Sequence, residues 1–107
     1  FRQFDAPVAV IVTFDKELKD EDISKFDCGA AVNGLVNAGW SKGLGSVINS
    51  QGIMQSPVVR EYAKIPENEV IMICVAMGYP DESFPANKVV SKRRSVSEVA
   101  TFIGFEE

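Results

Sequence analysis

Gly43-Leu44-Gly45-Ser46-Val47-Ile48-Asn49-Ser50-Gln51-Gly52 is the stretch on which the fold turns. It leaves a segment rich in small residues and passes through Ser46-Val47-Ile48, a short extended piece. It ends at Gln51-Gly52, which reads as a turn or a backbone position needing unusual dihedrals. Downstream, every residue from Val70 to Met77 is apolar, as expected of a strand covered on both faces. Gly78-Tyr79-Pro80-Asp81 breaks that run. Further on, Ser91-Lys92-Arg93-Arg94 sets three cations side by side, where an anion could be held.

Upstream, Val8-Ala9-Val10-Ile11-Val12-Thr13 is β-branched and almost unbroken in apolarity, so it too reads as a buried strand. The densely charged segment from Asp15 to Asp22 is expected to be a solvated loop, and it lacks the glycine of a calcium loop. Asp22 or Ser24 is placed to cap the helix that follows. Ile23, Phe26, Ala30, Gly34, Leu35 and Ala38 recur there at helical spacing. Glycines inside a helix are costly, so a stripe of small residues implies close approach by another backbone. That backbone is either internal or a subunit partner. Gly39-Trp40 and Gly43 end the helix, with Trp40 read as a packing residue. Ser56-Pro57 opens a short helix that Pro66 closes, and Arg60 and Lys64 read as ordinary exposed charges on it. Ser83 to Asn87 is expected to be irregular. Ser95 and Glu98 stand at capping-box spacing. Phe102, Ile103 and Phe105 make a tail too apolar to float in water.

With 107 residues the chain is one domain at most, able to bury a modest core. Hydrophobic residues make up 46% and charged ones 24%, which excludes the disordered class. A net charge of −4 argues against nucleic acid as a partner. No apolar run is long enough to span a bilayer, and no signal peptide is visible. A chain that opens at Phe1 and enters a strand at once is expected to be a fragment. Cys28 and Cys74, without Cys-x-x-Cys spacing, read as reduced packing residues of a cytoplasmic protein. Histidine is absent. That removes Ser-His-Asp and Cys-His catalysis and the commonest metal ligand, so no metal site and no catalytic side chain is assigned. Chemistry would have to come from a cofactor, or from carboxylates and amines.

The glycine loop, the apolar strand ending in Met77-Gly78-Tyr79-Pro80-Asp81-Glu82, and Ser91-Lys92-Arg93-Arg94, in this order, resemble the C-terminal half of the FMN-dependent nitroreductase family. The likeness runs from Ala6-Pro7-Val8 to Phe102, and the family's N-terminal half is absent from this chain. The resemblance implies an α+β fold with a mostly antiparallel central sheet flanked by helices, of which residues 1–107 are the C-terminal portion. It implies FMN as cofactor, NAD(P)H as electron donor and a nitroaromatic or quinone-like small molecule as acceptor. It further implies a homodimer with the tail lying on the partner subunit. An alternative from another class is a non-enzymatic flavin-binding or interaction module that keeps the same fold.

In the family, a loop at this place lays its backbone along the flavin, with amides at N5 and O4. By position the resemblance puts Ser50, Gln51 and Gly52 there. Backbone N–H groups at that edge supply fixed dipoles where charge develops. The family also grips the FMN phosphate with a Lys/Arg pair near the C-terminus, which carries over to Lys92 and Arg94. In an extended segment these two point the same way while Arg93 points opposite, and guanidinium geometry suits a phosphate. Asp27 matches the family helix too, but reads as a first-turn carboxylate favouring the helix dipole.

Overall fold

The long apolar run forms the central strand of the molecule. The structure, a computed structural model, describes residues 2–105. Three strands, β1 (Val8–Asp15), β2 (Gly45–Asn49) and β3 (Glu69–Gly78), make an antiparallel sheet in the order β1-β3-β2. Three helices accompany it, α1 (Asp22–Trp40), α2 (Ser56–Ala63) and α3 (Val96–Val99), with 3₁₀ turns at Gln3–Asp5, Lys16–Leu18, Gln51–Ile53 and Pro85–Lys88. The α+β expectation with an antiparallel sheet is met. The expected cover of β3 is complete only over Cys74–Met77; Val70–Ile73 are half-buried.

Side chains alternate across β3, so its two faces meet different neighbours. Val75 and Met77 join Val32 of α1 in the core, with Val10, Val12, Leu35, Val36, Leu44 and Ile73 packed around them. Cys74 and Ala76 point to the opposite face. There Cys74 pairs in register with Ile11 of β1 and Asn49 of β2.

Helix α1 meets the sheet along Ser24, Cys28, Val32 and Gly39. The expected stripe lies elsewhere. Leu35 is half-buried, but Ala30, Gly34 and Ala38 are exposed, as are Ile23 and Phe26 at 58% and 71%. The helix carries two apolar rows, and periodicity alone did not show which one faces the sheet. A Cβ added at Gly29 or Gly34 would meet nothing within 4 Å, so close internal packing does not explain these glycines. Trp40 points off the end of the packed row and is 70% exposed, contrary to the packing expectation.

Capping of α1 also differs from expectation. Glu21 occupies the cap position without a side-chain bond, and Ser24 lies buried within the first turn. The Ser24 hydroxyl donates to the carbonyls of Glu21 (2.8 Å) and Leu18 (3.1 Å), fastening the charged loop to the helix. Asp27 falls in the second turn, leaving Asp22 as the first-turn acid. Asp22 accepts from Lys25 Nζ at 2.9 Å, which holds its carboxyl below the usual range. The predicted capping box at Ser95 and Glu98 is present on α3, and its two hydrogen bonds from Ser95 likewise lower the Glu98 carboxyl.

Arg60 on α2 is not an ordinary exposed charge. Its guanidinium donates to the carbonyls of Ile65 and Pro66 through Nη1 and to that of Glu69 through Nη2, and it lies 3.9 Å from Glu67. Lys64 takes a left-handed conformation (φ 54°) that ends α2 before Pro66. One side chain therefore closes the α2–β3 connection onto the start of the central strand.

From Tyr79 onward the character changes: every residue through Phe105 is exposed. Phe102 and Phe105 stack edge to face at 5.9 Å, yet remain 66% and 80% exposed. The radius of gyration, 17.3 Å, exceeds the roughly 13 Å of a compact domain this long. The difference reflects an arm with no cover among the described residues.

Arg60→Ala should destabilise the protein by about 2 kcal/mol, because charged hydrogen bonds to several carbonyls are lost together. Arg60→Lys should recover little, since one ammonium does not reproduce the planar fork. Urea unfolding midpoints of the three proteins check this; a fully restored lysine variant would contradict the clasp.

Candidate functional site

The chain leaves α1 through Gly43, whose φ of +78° suits glycine, and Leu44 donates back to the Gly39 carbonyl at 3.0 Å. Gly45 already belongs to β2, so the glycine-rich segment is a helix stop followed by a strand. Strand β2 delivers Asn49 and then the turn Ser50–Ile53. Ile53 N–H donates to the Ser50 carbonyl (3.1 Å) and Met54 N–H to that of Gln51 (3.3 Å). Gly52 N–H donates to Asn49 Oδ1 at 2.8 Å.

Ser50 and Gln51 are exposed, and their N–H groups meet no acceptor among the described residues. Unpaired backbone donors at the open side of a tight turn are available to an acceptor edge. Of the two readings of Gly52, the turn holds and the unusual dihedral does not. Its φ is not left-handed; positive φ among the glycines falls at Gly43 and Gly104. A Cβ at Gly52 would instead stand 2.8 Å from Cys74 Cβ and Sγ and 2.5 Å from Gln3 Nε2. The turn is thus seated directly on the central strand. Cys74 beneath it is fully buried, and its thiol points to Gln3 Oε1 at 3.6 Å. Burial pushes that thiol up, and the neighbouring Asn49 amide partly offsets the shift.

Lys92 and Arg94 stand in the exposed arm, in a segment without regular secondary structure. Neither makes a hydrogen bond or ion pair among the described residues, whereas the guanidinium of Arg93 donates to Ser91 Oγ. Ser50, Gln51 and Gly52 are therefore brought together, Lys92 and Arg94 are close in the chain, and no hydrogen bond or ion pair joins the two groups. Two shallow grooves lie elsewhere. One runs between α2 and β3, lined by Lys16, Ser56, Arg60, Glu67 and Glu69; the other, apolar, runs between α1 and the sheet beside Cys28, Ile48 and Ile73.

Sequence reasoning missed Asn49, Cys74 and Gln3 as supports of the turn. Asn49 carried a usable signal: an Asn three residues before a glycine at a turn start is a capping pattern. The other two are joined to the turn only by tertiary packing.

A model of the Nitroreductase family matches residues 1–79. The chain belongs to the nitroreductase family. Among its relatives, the nitrobenzene nitroreductase of Ectopseudomonas oleovorans is 30% identical over 104 residues, covering 96% of this chain and 44% of that protein. The chloronitrobenzene nitroreductase of Comamonas testosteroni is 29% identical over 96% of this chain and 44% of its own length. The chain spans about half the length of the curated relatives it matches. Among solved structures, a mutant of the FMN and NADPH-dependent nitroreductase NfnB from a Sphigopyxis strain superimposes with a TM-score of 0.84 over 97% of this chain and 48% of that one, at 23% identity. A nitroreductase with bound FMN from Bacteroides fragilis gives 0.71 over 94% and 53%, at 25% identity. The fold of residues 2–105 is thus the nitroreductase fold over about half of its extent.

Gly52→Ala should lower stability by about 1–3 kcal/mol, as overpacking does in tight sites. The added Cβ meets the Cβ of Cys74 as well as its sulfur, so Cys74→Ala in the same protein should not rescue it. Thermal unfolding of the single and double variants checks this. An unperturbed melting temperature in Gly52→Ala would show that the turn is not seated on β3.

Proposed function

We propose that the chain is the C-terminal portion of an FMN-dependent oxidoreductase that passes electrons from NAD(P)H to a nitroaromatic or quinone-like acceptor. The observation that carries this reading is the pair of amides at Ser50 and Gln51, without an acceptor among the described residues, held at the open side of a turn seated on the buried strand of a nitroreductase-family fold. Relatives named for nitrobenzene and chloronitrobenzene reduction, and a neighbour with FMN bound, support it.

The chemistry of both residue groups suits FMN. A flavin needs fixed donors at its N5 and O4 edge, and the turn offers backbone N–H groups there. Its phosphate needs cations, and among the described residues no carboxylate pairs with Lys92 or Arg94. When bound, the flavin supplies the two-electron chemistry. This chain's residues would then have two tasks: donating to the ring edge and neutralising the phosphate. Histidine-free chemistry is compatible with that division of labour.

The same reading makes the protein a homodimer, with residues 101–105 on the partner subunit. The exposed Phe102, Ile103 and Phe105 and the outward row of α1 support it, since soluble monomers rarely leave such patches open. Among the described residues no helix is long and apolar enough to cross a membrane. The two free thiols suit a reducing, cytoplasmic setting.

Titration of the FMN-free protein, read by flavin fluorescence, tests the proposal. Lys92→Ala and Arg94→Ala should each raise the FMN Kd about 10- to 100-fold, the equivalent of one charge-assisted hydrogen bond. Arg93→Ala should raise it less, because Arg93 is turned to Ser91. Equal affinity in all three variants would remove the phosphate assignment. FMN binding without NAD(P)H oxidation would turn the enzyme reading into the flavin-binding module.

A further inference from the structure

The supports under the turn 50–53 decide which of its amides can face a ligand. Asn49 ends β2, half-buried and in register with Cys74. Both ends of its side-chain amide are used: Oδ1 accepts from Gly52 N–H at 2.8 Å, and Nδ2 donates to the Val47 carbonyl at 3.3 Å. Reversing the amide would place NH₂ against N–H and oxygen against oxygen, so its orientation is fixed by its partners. Cys74 then blocks Gly52 from sinking further, since even a Cβ would stand 2.8 Å from its sulfur. Asn49 thus holds Gly52 from within the turn while β3 holds it from beneath. An N–H already donated at 2.8 Å is a poor second donor.

We infer that Asn49 is a positioning residue of the ligand turn: it holds the Gly52 N–H inward, so that Ser50 and Gln51 donate to the acceptor edge of the ring and Gly52 supplies close packing only. This rests on the flavin reading above and narrows it, because the family resemblance put the Gly52 amide among the donors as well. Asn49 itself touches no ligand. Its effect passes through the turn it closes.

Amide hydrogen exchange followed by NMR on the intact protein, with and without FMN, tests the assignment. Without FMN, Gly52 should be protected while Ser50 and Gln51 exchange freely. Asn49→Ala should accelerate Gly52 exchange at least about ten-fold, and Asn49→Asp, which keeps the acceptor, should restore protection. On adding FMN, Ser50 and Gln51 should gain protection and Gly52 should not change. Asn49→Ala should also raise the FMN Kd about ten-fold, the usual scale of a lost cap. Protection gained at Gly52 in place of Ser50 and Gln51, or wild-type FMN affinity in Asn49→Ala, overturns the inference. A wild-type protein that binds no FMN at all overturns the proposed function and this role together. Binding with Gly52 as the protected amide overturns this role alone.

Discussion

The contact between Gly52 and Cys74 is the interaction on which the rest of the structure depends. Strand β3 is buried over Cys74–Met77, and its alternation gives the two sides of the molecule different work. Val75 and Met77 hold α1, while Cys74 carries the turn that follows β2. Because residue 52 has no Cβ, the backbone of the turn rests directly on the strand, and its free amides acquire a fixed height above the sheet. A donor whose position is fixed before a ligand arrives costs no reorganisation when charge develops beside it. On the proposed flavin reading, the glycine would link core packing to chemistry.

The second constraint is what this sheet leaves uncovered. From Tyr79 to Phe105 the chain has no buried residue, although it contains Phe84, Val89, Val90, Phe102, Ile103 and Phe105. The outward row of α1 adds Ile23 and Phe26. At roughly 25 cal/mol per Å² of apolar surface, leaving so many large side chains in water forfeits several kcal/mol. Domains of this size are only marginally stable, so that sum is comparable to a whole folding free energy. The arm also bears Lys92 and Arg94. On the proposed reading, a partner that covered its apolar residues would also fix where those two cations stand.

Much of this was legible in the sequence where one local signal sufficed. The unbroken run Val70–Met77 marked the central strand, Ser95 and Glu98 their capping box, Gly43 the helix stop, and Ser56-Pro57 the second helix. The failures share a cause. Helix α1 is apolar on two rows, so periodicity announced a helix without its rotation, and the stripe through Ala30 and Gly34 proved to face outward. Arg60 resembles any charged helix residue until the loop carbonyls it clasps are placed around it. Ser24 has the chemistry of a cap acceptor but is a buried donor to the preceding loop. Gly52 was readable as a necessary glycine, yet the reason lay in Cys74, a distant residue that no spacing rule connects to it. The turn of the candidate site was therefore found from sequence, while its supports, Asn49, Cys74 and Gln3, required the fold.

On the proposed reading, a second copy of the chain covers the arm and the outward row of α1. Light scattering of the purified protein, with and without residues 101–107, measures this most directly. The expected result is a particle of two chains that dissociates or aggregates when the tail is removed. A well-behaved monomer in both cases would contradict it.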